Sequence, residues 1–307
     1  MQLGIRPKTH IQKAVFFILL SALFNAFLSA LAKFSYSKLT MMQMVFARNF
    51  IALLLFSMWL AISKKETSFF SFLRPGLFHM QVVRALAGFT SICLFIYSLK
   101  TLDLSDSAVL YNTMPIFLPF VAYLWKGIKI HHKSWWGIIP AFIGILFVVQ
   151  PGGNFFNQGT LYVLLSGLAG AISTLSLRLS HYTDPSRRTL FYYFLITSAC
   201  AAVFLLFQHS SMYQVFSKES LLLLTGIGVL GLLFQIFFTL ATKYAPARLV
   251  SPFYFSTVIF SALLDWLLWN VNLDMYKLIG FVLVFIGVCL VVLLYPKDIA
   301  SSKPGAQ

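Results

Sequence analysis

Residues Gly137-Ile138-Ile139-Pro140-Ala141-Phe142-Ile143-Gly144-Ile145-Leu146-Phe147-Val148-Val149 have a counterpart 143 positions later. It reads Gly280-Phe281-Val282-Leu283-Val284-Phe285-Ile286-Gly287-Val288-Cys289-Leu290-Val291-Val292. In the same ungapped register Gly88 falls on Gly231, Lys100 on Lys243, Tyr111 on Tyr254 and Ile116 on Ile259. Apolar chains produce Ile and Val coincidences freely, so the glycines, tyrosines and lysines carry the argument. A register held from residue 88 to residue 149 indicates a duplicated chain. The break falls at Pro151-Gly152-Gly153-Asn154, an uncharged turn-forming stretch. This divides the chain into a first repeat, 1–150, and a second, 151–307.

The composition places the duplication in a membrane. Of 307 residues 59% are hydrophobic and 10% charged, against about 45–50% and about 25% in soluble domains; mean hydropathy is +0.85. Ten apolar runs of spanning length follow one another: 14–32, 42–62, 77–98, 106–125, 134–150, 159–180, 189–208, 221–242, 249–269 and 275–295. They are continuous rather than alternating, and backbone groups in hydrocarbon must be satisfied within the segment. The spans are therefore helices, not barrel strands. Arg6, Lys8 and Lys13 ahead of a run ending Ala30-Leu31-Ala32 resemble a cleaved signal sequence. The length of that run and the nine that follow favour a retained first helix.

Five spans per half is an odd number, so the second half enters the membrane inverted with respect to the first. The fold class is an all-α membrane protein of ten transmembrane helices in two inverted five-helix repeats. Such a pair packs in two alternative ways, one open to each side, which is the basis of alternating access at a midplane site.

Lys plus Arg exceed Asp plus Glu by 23 to 8, a net charge of +15. In a soluble chain that excess would point to nucleic acid; in a membrane chain it marks loops facing anionic lipid. With a cytoplasmic N-terminus the outer segments hold Lys33, Lys38, Lys100, Lys218 and Lys277. Arg48 and Arg84 lie within spans, and the remaining sixteen basic residues are inside. Both termini are expected in the cytoplasm, with the chain in a bacterial-type inner membrane. The expected partners are lipid and a small-molecule substrate, with no nucleic acid, and the protein is expected as a monomer or homodimer. Cys93, Cys200 and Cys289 are far apart and show no metal or disulfide spacing. No cofactor is expected.

Charge inside a span is costly and usually marks function or a paired structural role. Arg48 is placed in the outer part of the second span and Arg84 one to two turns into the third. Asp265, near the outer end of the ninth, reads as the one acidic residue within a span. It could pair with Arg48, bind a cationic group, take a proton, or reach outer water. Arg84 could instead snorkel to the headgroups. The uncharged polar candidates are Asn25, Gln43, Asn49, Tyr97, Tyr111, Asn112, Tyr192, Tyr193, Gln235 and Tyr254. Such side chains orient ligands or bond across helices. Tyr111 and Tyr254 stand out as repeat mates. The tryptophans read as interface anchors, with Trp266, beside Asp265, as the candidate exception. The substrate-site set is thus Tyr111, Tyr254, Arg84, Arg48, Asp265, Asn112, Gln235, Tyr97 and Trp266, between the third, fourth, eighth and ninth spans.

Pro115, Pro119 and Pro252 either free carbonyls near a site or simply kink their helices. The pairs Ser166/Gly170 and Gly167/Ala171 allow close helix approach. No histidine lies beside a buried Ser or Cys nucleophile, and no phosphate-binding Gly-Lys loop occurs. The chain is not expected to be an enzyme, and any driving force comes from gradients or exchange rather than ATP.

The ten-span layout resembles the drug/metabolite transporter superfamily and its EamA-like family. The supporting motifs are Val83-Arg84-Ala85-Leu86-Ala87-Gly88-Phe89, the stretch Tyr97 to Ala108, Pro115, Trp135-Trp136-Gly137, and Gly144 followed by Gln150-Pro151-Gly152. In the second half they are Lys243-Tyr244-Ala245-Pro246-Ala247-Arg248 and Ser251-Pro252-Phe253-Tyr254. The family's "Gly-Glu" after the fourth and ninth spans is changed here to Gly127-Ile128 and Asn270-Val271. Both glutamates are therefore missing. The resemblance implies secondary transport of a small polar metabolite. Its closest-looking branch carries S-adenosylmethionine and riboflavin; amino-acid or drug efflux is the alternative on the same scaffold. A lipid-acting membrane enzyme and a non-transporting subunit are the minor readings.

Overall fold

The computed structural model describes residues 11–62, 76–126, 135–149, 158–180, 183–207, 217–244, 253–271 and 274–294. The linker at Pro151, Ile128, Pro252 and the basic residues Arg6, Lys8, Lys297 and Lys303 lie outside them. Helices follow in the order α1 (Ile11–Ser35), α2 (Met41–Ile62), α3 (Phe78–Ser98), α4 (Leu104–Tyr111), α5 (Met114–Lys126), α6 (Trp135–Val149), α7 (Gln158–Ser180), α8 (Ser186–Phe207), α9 (Lys218–Tyr244), α10 (Ser256–Trp269) and α11 (Met275–Leu294). Helices α4 and α5 form one broken fourth span, so ten spans are present. Seven of the described helical segments are long and apolar enough to cross a membrane by themselves.

The packing between the halves obeys a two-fold. The third span (α3) packs on the sixth (α7), and the eighth (α9) on the first (α1). The second span (α2) packs on the eighth (α9), and the seventh (α8) on the third (α3). The second and seventh meet each other, as do the fifth (α6) and tenth (α11). Each contact is mirrored by its repeat mate, as an isologous interface requires. Ring contacts fix the antiparallel sense: Phe17 stacks on Tyr244 and Phe24 on Phe237, with centroids 5.7 and 5.6 Å apart.

The glycines that reveal the duplication form the tightest of these seams. A Cβ on Gly144 would lie 2.6 Å from Val284 N and 2.8 Å from Gly280 O; one on Gly287 would lie 2.6 Å from Ala141 N and 2.7 Å from Gly137 O. Gly137 and Gly280 are repeat mates, as are Gly144 and Gly287, so the two contacts exchange under the two-fold. Backbone meets backbone because no side chain intervenes.

Asn270 is the described non-glycine residue with a left-handed backbone, φ 52°. It closes α10, and the Val271 amide donates to the Asp265 carbonyl at 3.2 Å. This is the terminal turn in which glycine is favoured and asparagine tolerated. Asn270 therefore does the backbone work a glycine would do there, while Val271 supplies no carboxylate.

Candidate functional site

Both halves line one cavity in the middle of the bundle, of about 710 Å³ of space counted to its open mouth. Its walls come from α1, α2, α3, α4, α5, α7, α8 and α9 together with Tyr254. The fifth and tenth spans stay outside it, paired on their glycine seam. The site expected between the third, fourth, eighth and ninth spans is thus broader, taking in the first, second, sixth and seventh as well.

Small residues create the room. A Cβ on Gly88 would sit 2.7 Å from the Tyr193 ring, and one on Gly231 2.7 Å from Arg48 Cγ. These repeat-mated glycines let α3 and α9 each accept a polar side chain from a neighbouring helix. Ser91 and Ser166 bind α3 to α7 by exchanging hydrogen bonds: each hydroxyl donates to the other's carbonyl, at 2.9 and 2.7 Å.

Tyr111 and Tyr254 stand where their spans break. After Tyr111 the helix turns at Asn112 and Thr113 and restarts at Met114; Pro115 has no amide to offer the Tyr111 carbonyl. After Tyr254 the chain turns at Phe255, the repeat mate of Asn112, and restarts at Ser256. At each break a threonine hydroxyl bonds back to the preceding turn: Thr113 Oγ1 donates to Leu110 O at 2.6 Å and Thr257 Oγ1 to Tyr254 O at 2.8 Å. Tyr254 is buried, Tyr111 is partly buried, and both line the cavity.

Arg48 and Arg84 face the same cavity. Arg84 is 1% exposed, so it does not snorkel. Its Nη1 donates to Thr189 O at 2.8 Å, and its guanidinium lies 4.8 Å from the Tyr193 ring centroid. Arg48 lies 5.5 Å from the Phe234 ring centroid. Asn25, Gln235, Ser173 and Thr174 complete the polar lining. A smaller cavity shares Tyr111, Met114, Thr174, Phe238 and Tyr254 and continues to Asn112, Arg178 and Thr242. It runs toward the end of the bundle where α1 begins and α7 and α9 finish.

Three expected site residues are placed elsewhere. Asp265 is buried but turned away from Arg48: its carboxylate accepts from the Leu104 and Ser105 amides at 3.2 and 2.8 Å and from Ser105 Oγ at 2.8 Å. It caps α4 from another helix, because Asp103 at the N-cap position makes no side-chain cap. Trp266, 57% exposed, points away from the bundle interior. Tyr97 packs edge-on against Tyr162 at 4.8 Å, under Lys100. Asp265 is also not the lone acid of the spans, since Asp106 is buried within α4. Lys277 bonds Asp106 at 2.7 Å and Asp103 at 3.3 Å, and Lys33 reaches Asp103 at 3.5 Å and Asp265 at 3.7 Å. These groups, with the Lys38–Glu219 pair, cross-link the end of the bundle opposite the smaller cavity.

Sequence reasoning passed over Ser91, Ser173, Thr174 and Phe238, which look like ordinary packing residues until the helices converge. It also passed over Asp184, buried in the loop between α7 and α8. That carboxylate takes the Gly76 amide at 2.9 Å, Gln81 Nε2 at 3.1 Å and Arg188 Nη1 at 2.7 Å, tying the start of α3 to the start of α8. Burial alone would raise its pKa, but the Gly76, Arg188 and Gln81 bonds together outweigh that and hold it below the usual carboxylate range. Asp184-Pro185-Ser186 before an apolar run was the available signal, a helix start.

The EamA-like transporter family profile matches this chain twice, over residues 12–150 and 157–293. The chain belongs to the EamA-like transporter family. It is 25% identical to the pseudopaline exporter CntI of Pseudomonas aeruginosa, over 90% of this chain and 95% of that one. It is 25% identical to a riboflavin transporter of Vibrio cholerae, over 64% and 66%, and 23% identical to an S-adenosylmethionine uptake transporter of Rickettsia conorii, over 87% of each. A solved crystal structure superposes with a TM-score of 0.65 at 15% identity, covering 94% of this chain and 99% of its own; that likeness concerns the fold. The EamA-like chain is thus a multi-pass membrane transporter, not an enzyme.

Proposed function

We propose that this EamA-like protein carries a small polar metabolite by alternating access, without ATP, through the cavity between its two halves. The observation that carries the reading is that both repeats line one central cavity with polar side chains in its wall, with Tyr111 and Tyr254 at matching helix breaks. Broken helices at a repeat interface are where such carriers bind their solute. The tyrosines flank the ligand and stack on it, and Gln235, Asn25 and Asn112 orient it. Uptake or exchange of S-adenosylmethionine is the first substrate to test; riboflavin import and efflux on the same scaffold are the others, as the relatives' names suggest. The basic-residue asymmetry supports cytoplasmic termini in a bacterial inner membrane, with each monomer, alone or in a homodimer, holding its own cavity.

The test is counterflow in proteoliposomes. Vesicles loaded with unlabelled S-adenosylmethionine, riboflavin or pooled amino acids are offered the labelled compound. Saturable accumulation of one, lost in Tyr111→Ala and Tyr254→Ala proteins that still insert, supports the reading. No accumulation of any compound from this panel or a broader metabolite panel refutes it.

A further inference from the structure

The cavity holds two guanidinium groups and, among the described residues, no carboxylate. Every described acid is committed elsewhere. Asp184 is held by Gly76, Gln81 and Arg188; Asp103, Asp106 and Asp265 belong to the Lys33–Lys277 cluster; Glu219 pairs with Lys38; Asp274 lies just before α11. Aromatic faces soften the charge on Arg84 and Arg48 but do not neutralise it. Arg84 Nη2 is buried with no hydrogen-bond partner among the described residues, although Nη1 is satisfied. One end of the planar fork is therefore left unsatisfied within the wall that Arg84 contributes to the cavity.

Burying an unpaired charge is expensive, and an orphaned charged donor more so. The guanidinium fork matches two oxygens of a carboxylate or phosphate, which an ammonium does not. Asn25 and Gln235, which also line the cavity, add neutral hydrogen-bonding groups for the rest of the ligand.

We infer that the transported solute carries an oxyanion, a carboxylate or phosphate, which Arg84 takes through Nη2 with Arg48 as the second cation. This rests on the carrier reading and narrows it to organic acids and zwitterions. A neutral ring compound or a simple cation leaves both guanidinium groups without a counter-charge. A zwitterion such as S-adenosylmethionine is admitted through its carboxylate end.

The experiment compares matched ligands on the purified full chain in detergent at constant ionic strength, reading affinity from the thermal shift. The pairs are S-adenosylmethionine and its decarboxylated form, N-acetyltyrosine and its amide, and phenyl phosphate and phenol. In at least one pair the oxyanion should bind roughly tenfold tighter or more than its partner, the size of a charge-assisted hydrogen bond. The carboxylate and phosphate pairs tell the two oxyanions apart. The preference should fall in Arg84→Lys, which keeps charge but loses the fork, and vanish in Arg48→Gln/Arg84→Gln. Because the pairs are compared on wild-type protein, the outcome stands even where an arginine variant folds poorly. Equal binding within every pair, no binding by any oxyanion, or a preference untouched by the substitutions overturns the inference. Proteoliposome flux separates the two proposals. Oxyanion binding without flux refutes the carrier reading alone, and flux of a neutral or cationic solute unaffected by Arg48→Gln/Arg84→Gln refutes the oxyanion alone.

Discussion

Arg48 passes over Gly231 so closely that a single added carbon there would lie 2.7 Å from its Cγ. This cavity arginine is thus positioned by the absence of a side chain on another helix. Gly231→Ala should displace the Arg48 stem without removing charge, at an overpacking cost of about 1–3 kcal/mol. Solute affinity should fall in Gly231→Ala, and the same change in an Arg48→Gln background should cost little more. A double-mutant cycle on binding reads the coupling; fully additive effects would show that Gly231 matters only for packing.

The seam between the fifth and tenth spans predicts a symmetric weakness. Gly144→Ala and Gly287→Ala each drive a methyl into backbone atoms of the facing helix. Each should destabilise by about 3 kcal/mol or more, the range of severe core lesions. Ile143→Ala, at a 44% exposed neighbour, should cost far less. Melting temperatures in detergent check all three.

At the end of the bundle closed by ion pairs, Lys277 holds Asp106 and Asp103 together. Lys277→Met leaves the largely buried Asp106 carboxylate without its cation and should cost about 3 kcal/mol. Adding Asp106→Asn should recover part of that loss. A double variant no better than the single one would mean that Lys277 stabilises by packing its stem.

Asp184 gives a pH signature. Its carboxyl titrates below the ordinary aspartate value of 3.8, so its stabilisation is full above that value and is lost as pH falls through the lower folded value. Asp184→Asn should destabilise the fold at pH 7 by about 2 kcal/mol of charge-assisted bonding, read as a lower melting temperature. The gap to wild type should narrow at pH 3. A gap constant from pH 7 to pH 3 would assign the effect to the loop's shape rather than its charge.

Much of the architecture was legible because a membrane restricts the options. Apolar runs of spanning length must be helices, and a register shared by Gly137, Gly144, Gly280 and Gly287 already contained the seam. Five of the nine candidate site residues, Arg48, Arg84, Tyr111, Gln235 and Tyr254, line the main cavity, and Asn112 lines the smaller one. Asp265 lies away from the cavity for a physical reason. Which partner a buried carboxylate finds depends on long-range packing, and its amides at Leu104 and Ser105 lie 161 and 160 residues away. Trp266 and Tyr97 lie off the cavity through rotation: position along a span was readable, but the face presented to the interior was not. The low contrast of helices that are apolar all round removes the cue an amphipathic helix would give.

The repeat is faithful in its glycines and tyrosines and unfaithful in its charges. The mate of Arg84 is Ile227, and where Arg48 lies against Gly231 the other half places Tyr193 against Gly88. Two identical halves meeting on a two-fold would offer any guest a pair of equivalent poses, related by turning it end over end. Confining both guanidinium groups to one half removes that degeneracy. On the carrier reading, the doubled frame supplies the two ways of opening, and the lopsided charge sets which way round a molecule rides.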